Sequence, residues 1–295
     1  MKVLSLFDGI SCGYKALVNL DIKVDTYYAS EIDKYAIAIN QYNFPNTIQL
    51  GDVNKWEEWD IDWSSIDLLI GGSPCQNLSN AGNGTGLEGS ESSLFYRYLD
   101  ILHHIQSLNP NVKFLLENVK MKPEWEELFN QHMGVKPILI DSGLVSAQSR
   151  KRLYWTNIEI EGDLEDKHLT LKDIVEPIED KAEFNITDRM YAKKERTLSY
   201  KKAWSAVKTL EQKSKTLTCS QSIANSGATN IKYPNGQFYK PTAIESERLQ
   251  TLPDNYTKYG ILDGEVKEIS YTQRVKCVGN GWTVKVIEYL FKGLK

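Results

Sequence analysis

The sequence predicts a doubly wound α/β sheet carrying a second, smaller and irregular domain. Three observations point there. Short apolar runs of strand length alternate with segments whose apolar residues recur every three or four positions across the first half of the chain. After Asn157 the alternation stops. From Thr283 helical periodicity returns and lasts to the end.

The strand-like runs are KVLSLF (2–7), DTYYAS (25–30), TIQL (47–50), IDLLIG (66–71), KFLLEN (113–118), KPILID (136–141) and RLYWTN (152–157). The segments GYKALVNL, DKYAIAINQYN, SLFYRYLDILHHIQSL and PEWEELFNQH read as helices between them. Such alternation implies parallel strands joined by right-handed crossovers, with ligands bound beyond the carboxyl ends of the strands. From about Glu159 to Gly236 the chain is polar, Lys-rich and broken by SQSIANSGATN and YPNGQ. The expected division is therefore 1–158 plus 270–295 as one domain and 159–269 as the other. The apolar face of the terminal segment needs a core to cover and is expected to pack back on the first domain.

At 295 residues, 41% hydrophobic and 25% charged, the composition is that of an ordinary globular protein. No apolar run approaches the roughly 18 residues that span a bilayer, and Asp8 interrupts the opening segment too early for a signal peptide, so no membrane partner and a cytoplasmic location are expected. Cys12, Cys75, Cys219 and Cys277 are scattered, and no C-x-x-C pair suggests a zinc site or a disulfide framework. His103 and His104 are adjacent within a helical pattern and face different ways, which is poor geometry for a metal, so no metal is expected. The net charge of −4 hides a split: residues 181–240 hold 12 Lys and Arg against 4 Asp and Glu. That asymmetry fits a segment facing nucleic acid, or else a solvated basic surface.

LSLFDGISCGYKAL (4–17) reads as strand, Gly-containing turn and helix, with Gly9 allowing a tight turn and close approach of a ligand. The G-x-G-x-x-G fingerprint of dinucleotide enzymes is absent. Glu31 ends the second strand, where a carboxylate can accept both hydroxyls of a ribose, and Asp52 follows the third, where it could meet an adenine amine. Helix capping is the alternative for each. Together they suit an adenosine cofactor without a pyrophosphate.

In LLIGGSPCQNLSNAGNGTGLEGS (68–90), Pro74 fixes its own φ and extends Ser73, presenting Cys75 at the end of a strand. The polar, Gly-rich residues that follow put the thiol at a mouth, making it a candidate nucleophile, with buried packing as the alternative. Gly82, Gly84, Gly86 and Gly89 punctuate a loop long enough to act as a lid. Glu117 ends the next strand and could hold or donate a proton at the same sheet edge, or serve as a cap or ion-pair partner.

FDGIS, GGSPCQ, ENV, QSRKR, ERLQTLPDNY and GNGWTV occur here in an order and spacing that resemble the DNA (cytosine-5) methyltransferases; the first two thirds are also similar to the catalytic domain of the animal de novo enzymes. The resemblance implies a Rossmann-like S-adenosylmethionine-dependent methyltransferase sheet with a target-recognition domain at 159–269. It implies that the Cys75 thiolate adds to C6 of a cytosine flipped out of double-stranded DNA, that Glu117 engages N3 and the amino group, and that Arg150 and Arg152 support the adduct and the DNA backbone. For the cofactor it implies Phe7, Asp8, Gly9, Ile10 and Ser11 on the methionine and ribose part, and Glu31 on the ribose. It further implies Ile32 and Val53 on the adenine faces, Asp52 on the adenine amine, and Pro74, Asn280, Gly281 and Trp282 completing the pocket. DNA contacts are expected from Gln148, Thr216, Thr218, Ser220, Gln221 and Asn225, the last within recognition loops that begin near Lys215. Ser11 stands where many bacterial relatives have glycine, and Gly281-Trp282 replaces a common Ser-Val pair. A monomer, with a cognate restriction endonuclease encoded elsewhere, fits such an enzyme. An RNA (tRNA) cytosine-5 methyltransferase and a catalytically silent DNA-binding or cofactor-binding module remain as alternatives.

Overall fold

The computed structural model describes residues 1–73, 92–192, 197–219 and 228–295. The chain forms two compact units. The first comprises Met1–Ile140, Lys151–Gly162 and Ile287–Lys295; the second comprises Asp141–Arg150 and Asp163–Val286. Compactness thus groups 141–150 and 270–286 with the later segment, whereas the sequence-based division set them with the first domain.

The first unit follows the expected alternation: β1 (Lys2–Leu6), α1 (Cys12–Asn19), β2 (Thr26–Ser30), α2 (Lys34–Asn43), β3 (Ile48–Gln49), β4 (Leu68–Gly71), α3 (Ser92–Leu108), β5 (Lys113–Val119), α4 (Pro123–Met133), β6 (Ile138–Asp141) and β7 (Lys151–Thr156). The strands build one sheet in the order β3-β2-β1-β4-β5-β7-β6. Strand β1 pairs in parallel with β2 and β4, as β2 does with β3 and β4 with β5. Parallel pairing does not extend to β7, which runs antiparallel to β5. Only residues 142–150 separate β6 from β7, too few for a crossover connection, so the chain has to turn back.

Both faces of the sheet are covered. Leu68, Leu69 and Ile70 of β4 are wholly buried, which is why that strand reads as an unbroken apolar run and not as an alternation. A Cβ on Gly71 would sit 3.0 Å from the Tyr98 ring and 3.1 Å from the Leu6 carbonyl, so glycine there lets α3 lie close on the sheet. Phe95 of α3 stacks on Phe129 of α4 at 3.7 Å between ring centroids, and the buried Trp155 of β7 donates its Nε1–H to Asn130 at 2.8 Å. Helix α2 starts where Asp33 accepts the amides of Tyr35 and Ala36, and α4 stops at Gly134 with φ +67°.

The second unit is less regular. It holds α5 (Thr187–Tyr191), α6 (Leu198–Ser205), β8 (Val207–Thr209), β9 (Asn230–Lys232), β10 (Phe238–Tyr239), α7 (Ala243–Leu249), β11 (Tyr259–Leu262), β12 (Glu265–Glu268) and α8 (Tyr271–Asn280). Three short strands form a sheet in the order β10-β9-β8, and β11 and β12 form an antiparallel hairpin. Ile186, Met190, Ala203 and Phe238 make a small core of their own. The basic count of this region overstates its outward charge. Lys181 is wholly buried, with its Nζ 2.5 Å from Glu245 and 3.3 Å from the Tyr233 hydroxyl, whereas Arg189, Lys201 and Lys202 are exposed. Burial lowers the Lys181 pKa and the Glu245 carboxylate opposes that. From Ile287, within α9 (Val284–Leu290), the chain belongs to the first unit, where Ile287, Leu290 and Phe291 are wholly buried and Asn19 donates to Glu288 at 2.6 Å.

Candidate active site

Strand β1 ends at Leu6, and the turn that follows has three left-handed backbones: φ is +56° at Phe7, +59° at Gly9 and +59° at Ser11. Glycine takes this conformation freely, but a side-chain-bearing residue there costs about 1 kcal/mol or more, so Phe7 and Ser11 need holding. Side chains from three elements supply the hold. Tyr27 of β2 donates its hydroxyl to Asp8 Oδ1 at 2.7 Å, Ser11 donates to Asp8 Oδ2, and Asn40 of α2 donates to Ser11 Oγ. The amide of Asp8 reaches the Ser30 carbonyl at 3.2 Å, and that of Gly9 reaches Glu31 Oε2 at 2.8 Å. Burial pushes the Asp8 carboxyl up to about 6; bonds from Ser11, Ser5 and Tyr27 oppose the rise and the charge of Glu31 adds to it.

These positions divide by what they can offer a ligand. Ile10 and Ser11 are wholly buried, so neither offers a side chain to one; the Asp8 carboxylate is taken up by Ser11 and Tyr27. Phe7 is half-buried and packs against the main core. Glu31 Oε1 accepts the amides of Ile32 and Asp33, with both carboxylate oxygens at the end of β2. Ile32 beside it is 75% exposed, an unusual state for isoleucine, while Val53 is buried in the core. Asp52 does cap: its Oδ1 accepts both the amide and the Nδ2–H of Asn54.

On the same sheet, Glu117 of β5 lies opposite Tyr154 of β7 and diagonally across from Arg152, which is paired with Val119. Arg152 Nε donates to Glu117 Oε1 at 2.9 Å, with side-chain exposures of 13% and 11%. Asn118 faces the other way. Its Nδ2 donates to Ser73, at 3.1 Å to Oγ and 3.4 Å to the carbonyl, fixing the chain two residues before Cys75 in the sequence. Pro74 and Cys75 themselves, with the glycine-rich stretch after them, lie outside the described residues.

In the second unit, Arg150 is buried and its guanidinium donates to the carbonyls of Leu217 (2.9 Å), Gly281 (3.1 Å) and Gly279 (3.4 Å). Gln148, expected on DNA, is wholly buried. It accepts the Leu217 amide and donates to the Leu249 carbonyl and to Gln250 Oε1, so it reads no base; its amide is consumed by the protein. Gln250 is buried too and donates to the carbonyls of Val278 and Gly281, while its Oε1 also accepts the Thr283 hydroxyl at 2.6 Å. Together Gln148, Arg150, Gln250 and Thr283 hold the turn after α8, leaving Asn280 exposed and Trp282 half-buried. A Cβ on Gly279 would lie 2.4 Å from the Thr218 carbonyl carbon and oxygen, so glycine lets the 218–219 peptide press against α8. Thr216 donates to the Ser149 carbonyl at 2.8 Å and Thr218 is half-buried; Ser220, Gln221 and Asn225 lie outside the described residues. Gln250 and Thr283 were not foreseen, although a glutamine inside the apolar periodicity of ERLQTL is a usable signal. Among the described residues no cluster of His, Cys, Asp and Glu is placed to hold a metal, and no helix is long and apolar enough to cross a membrane.

Residues 1–132 match the family model of the C-5 cytosine-specific DNA methylases. An orphan methyltransferase of Bacillus phage rho11s is 40% identical over 124 residues, 41% of this chain and 23% of the relative. A type II methyltransferase of Neisseria gonorrhoeae is 32% identical over 212 residues, 62% of this chain and 58% of the relative. The matched stretches thus span less than two thirds of these curated relatives. Among solved structures, the methyltransferase EhMeth of Entamoeba histolytica has a TM-score of 0.73 at 16% identity, over 100% of this chain and 99% of that one. A DNMT2 of Spodoptera frugiperda has a TM-score of 0.70 at 19% identity, over 99% of both chains. At such identities the structures speak for the fold. Through its amino-terminal 132 residues the chain is thus similar to the C-5 cytosine-specific DNA methylases.

Proposed function

We propose that the protein transfers a methyl group to C5 of a cytosine flipped out of a specific double-stranded DNA sequence. The observation that carries this is the Glu117–Arg152 pair at the end of β5, beside an asparagine that anchors Ser73, the first residue of the Ser-Pro-Cys step. Cytosine C5 is a poor nucleophile until a thiolate adds at C6. Cys75 supplies the thiolate, and the pair of electrons displaced from the C5–C6 bond makes C5 nucleophilic. Glu117 holds a proton at N3, which neutralises charge building on the ring, and Arg152 orients that carboxyl. After methylation, loss of the C5 proton restores the ring and expels the thiolate. The base must leave the stack for the thiol to reach C6.

The turn after β1 fits S-adenosylmethionine: Glu31 offers a carboxylate to ribose hydroxyls, Ile32 an exposed apolar face to adenine, and Asp52 Oδ2 an acceptor to its amine. When bound, the cofactor supplies the electrophilic methyl group. The second unit serves target recognition, its exposed Lys201 and Lys202 meeting phosphates. Arg150 acts there by positioning, since its guanidinium is committed to backbone carbonyls. Incubation with a 5-fluorocytosine duplex and S-adenosylmethionine should trap a covalent complex that Cys75→Ser abolishes. Absence of an adduct, or one that survives the substitution, refutes the mechanism; labelling of transfer RNA in preference to DNA would assign the RNA substrate instead.

A further inference from the structure

We propose that Asp8 is a positioning residue that holds the Phe7–Ser11 turn in its left-handed form only while its carboxylate is ionised, making the turn a proton-sensitive part of the ligand site. The inference rests on the cofactor reading above for the identity of the ligand, but not for the behaviour of the turn.

The donors converge on Asp8. Asn40 Nδ2 has only hydrogens to give, and it gives one to Ser11 Oγ. Ser11 then directs its own proton to Asp8 Oδ2, while Tyr27 directs its hydroxyl to Oδ1. Every hydrogen in this chain therefore runs toward the carboxylate, an arrangement that suits an acceptor-only group. Asn40 is not free to reverse: its Oδ1 accepts from Gln49 Nε2 at 2.8 Å and from Gln41 Nε2 at 3.3 Å, which fixes the amide's orientation. A proton on either oxygen of Asp8 meets a donor already in place, so Ser11 or Tyr27 has to turn its own hydrogen away and exchange a charge-assisted bond for a weaker neutral one. Tyr27, wholly inside the sheet, has little room to move, whereas Ser11 sits at a left-handed position that unaided backbone energetics disfavour. The bond to Ser11 is the one that yields, and with it the turn.

The groups facing Asp8 are Tyr27 and Glu31 from β2 and its end, Ser5 from β1 and Ser11 from α1, with Asn40 of α2 reaching it through Ser11. Glu31 is the one formal charge among them and disfavours ionisation of Asp8. Burial places the carboxyl's midpoint near pH 6, within an accessible range. If only the ionised form holds the turn, affinity for a ligand on it falls about tenfold between pH 7 and pH 5.

Two readouts test this. In the free protein, protection of the Gly9 and Ser11 amides against hydrogen exchange, corrected for intrinsic rates, should fall several-fold from pH 7 to pH 5, and Asp8→Asn should remove that dependence. Binding of S-adenosylhomocysteine, measured by calorimetry, should weaken about tenfold over the same range in the parent protein and by less than twofold in Asp8→Asn. Should Asp8→Asn fail to fold, Ser11→Gly keeps the left-handed turn but severs it from the carboxylate, and should equally flatten both profiles. A pH dependence unchanged in either variant overturns the proposal. Loss of turn protection without any S-adenosylhomocysteine binding would uphold the switch and refute the cofactor reading instead.

Discussion

Replacing Gln250 by alanine should destabilise the second unit by roughly 3 to 5 kcal/mol. The side chain is wholly buried and makes four hydrogen bonds: two accepted, from Gln148 and Thr283, and two donated, to the carbonyls of Val278 and Gly281. These losses are unequal. Gln148 keeps the Leu249 carbonyl, Gly281 keeps Arg150, and the Val278 carbonyl keeps the Gly281 amide. The Thr283 hydroxyl is 1% exposed as a residue and loses its acceptor, at about 1 to 3 kcal/mol for a buried orphaned donor. The space vacated by the side chain adds about 2 kcal/mol or more, as for other large-to-small changes in a closed interior. At about 2 to 4 °C per kcal/mol for a unit of this size, melting should fall by on the order of 10 °C. Gln250→Met, which nearly preserves volume, should recover the cavity part only. Thermal unfolding followed by circular dichroism, with the exposed Gln131→Ala as the control, measures each. A Gln250→Ala protein melting within about 2 °C of the parent would refute the idea that this glutamine secures the Asn280–Trp282 turn.

Gly279→Ala should destabilise the same unit by about 2 to 3 kcal/mol, read as a lower urea midpoint, because its methyl would lie 2.4 Å from the main chain at Thr218 and backbone cannot step aside as a side chain can. Glu117→Gln should slow single-turnover methylation by roughly 100-fold to 10,000-fold while lowering the melting temperature by only a few degrees, since glutamine still accepts from Arg152 but does not exchange a proton. Between pH 4 and pH 6 global stability should decline as pH rises. The folded Asp8 carboxyl titrates at about 6 against an ordinary 3.8, so the native state holds the extra proton in that window. The decline is at most about 3 kcal/mol and should be absent in Asp8→Asn, as urea midpoints across the range would reveal. This sign is opposite to that expected for order in the turn: protonation relieves a buried charge for the whole fold while removing an acceptor from one segment of it.

Much of the first unit could be read from the chain because its signals are local. Strands buried on both faces must be apolar throughout, as Leu68–Ile70 are, and the helices between them must repeat every three or four residues. Helix α8 escaped that reading. Its inner face includes Arg274, which is buried by pairing with Glu247 at 2.9 Å, so a core position carries a charged residue and the apolar period breaks. Glu31 and Asp52 could be located by position alone, at the ends of strands, but whether each would cap or face a ligand depended on neighbours. Asp52 proved to cap through one oxygen, and Glu31 to hold the Gly9 amide.

By itself the sequence determined the order of strands and helices in the first unit, the sheet edge where Glu117 sits, and the motif set that resembles the cytosine-5 methyltransferases, because periodicity and strand-end chemistry are written in neighbouring residues. Tertiary structure alone decided that Gln148 and Arg150 turn inward, that Lys181 is buried, and that Asp8 serves its own turn. A polar side chain is indistinguishable in sequence whether it meets water, a ligand or a carbonyl. Its direction is set by partners tens to hundreds of positions away, such as Leu217 and Gly281 for Arg150, that only folding brings within hydrogen-bond reach.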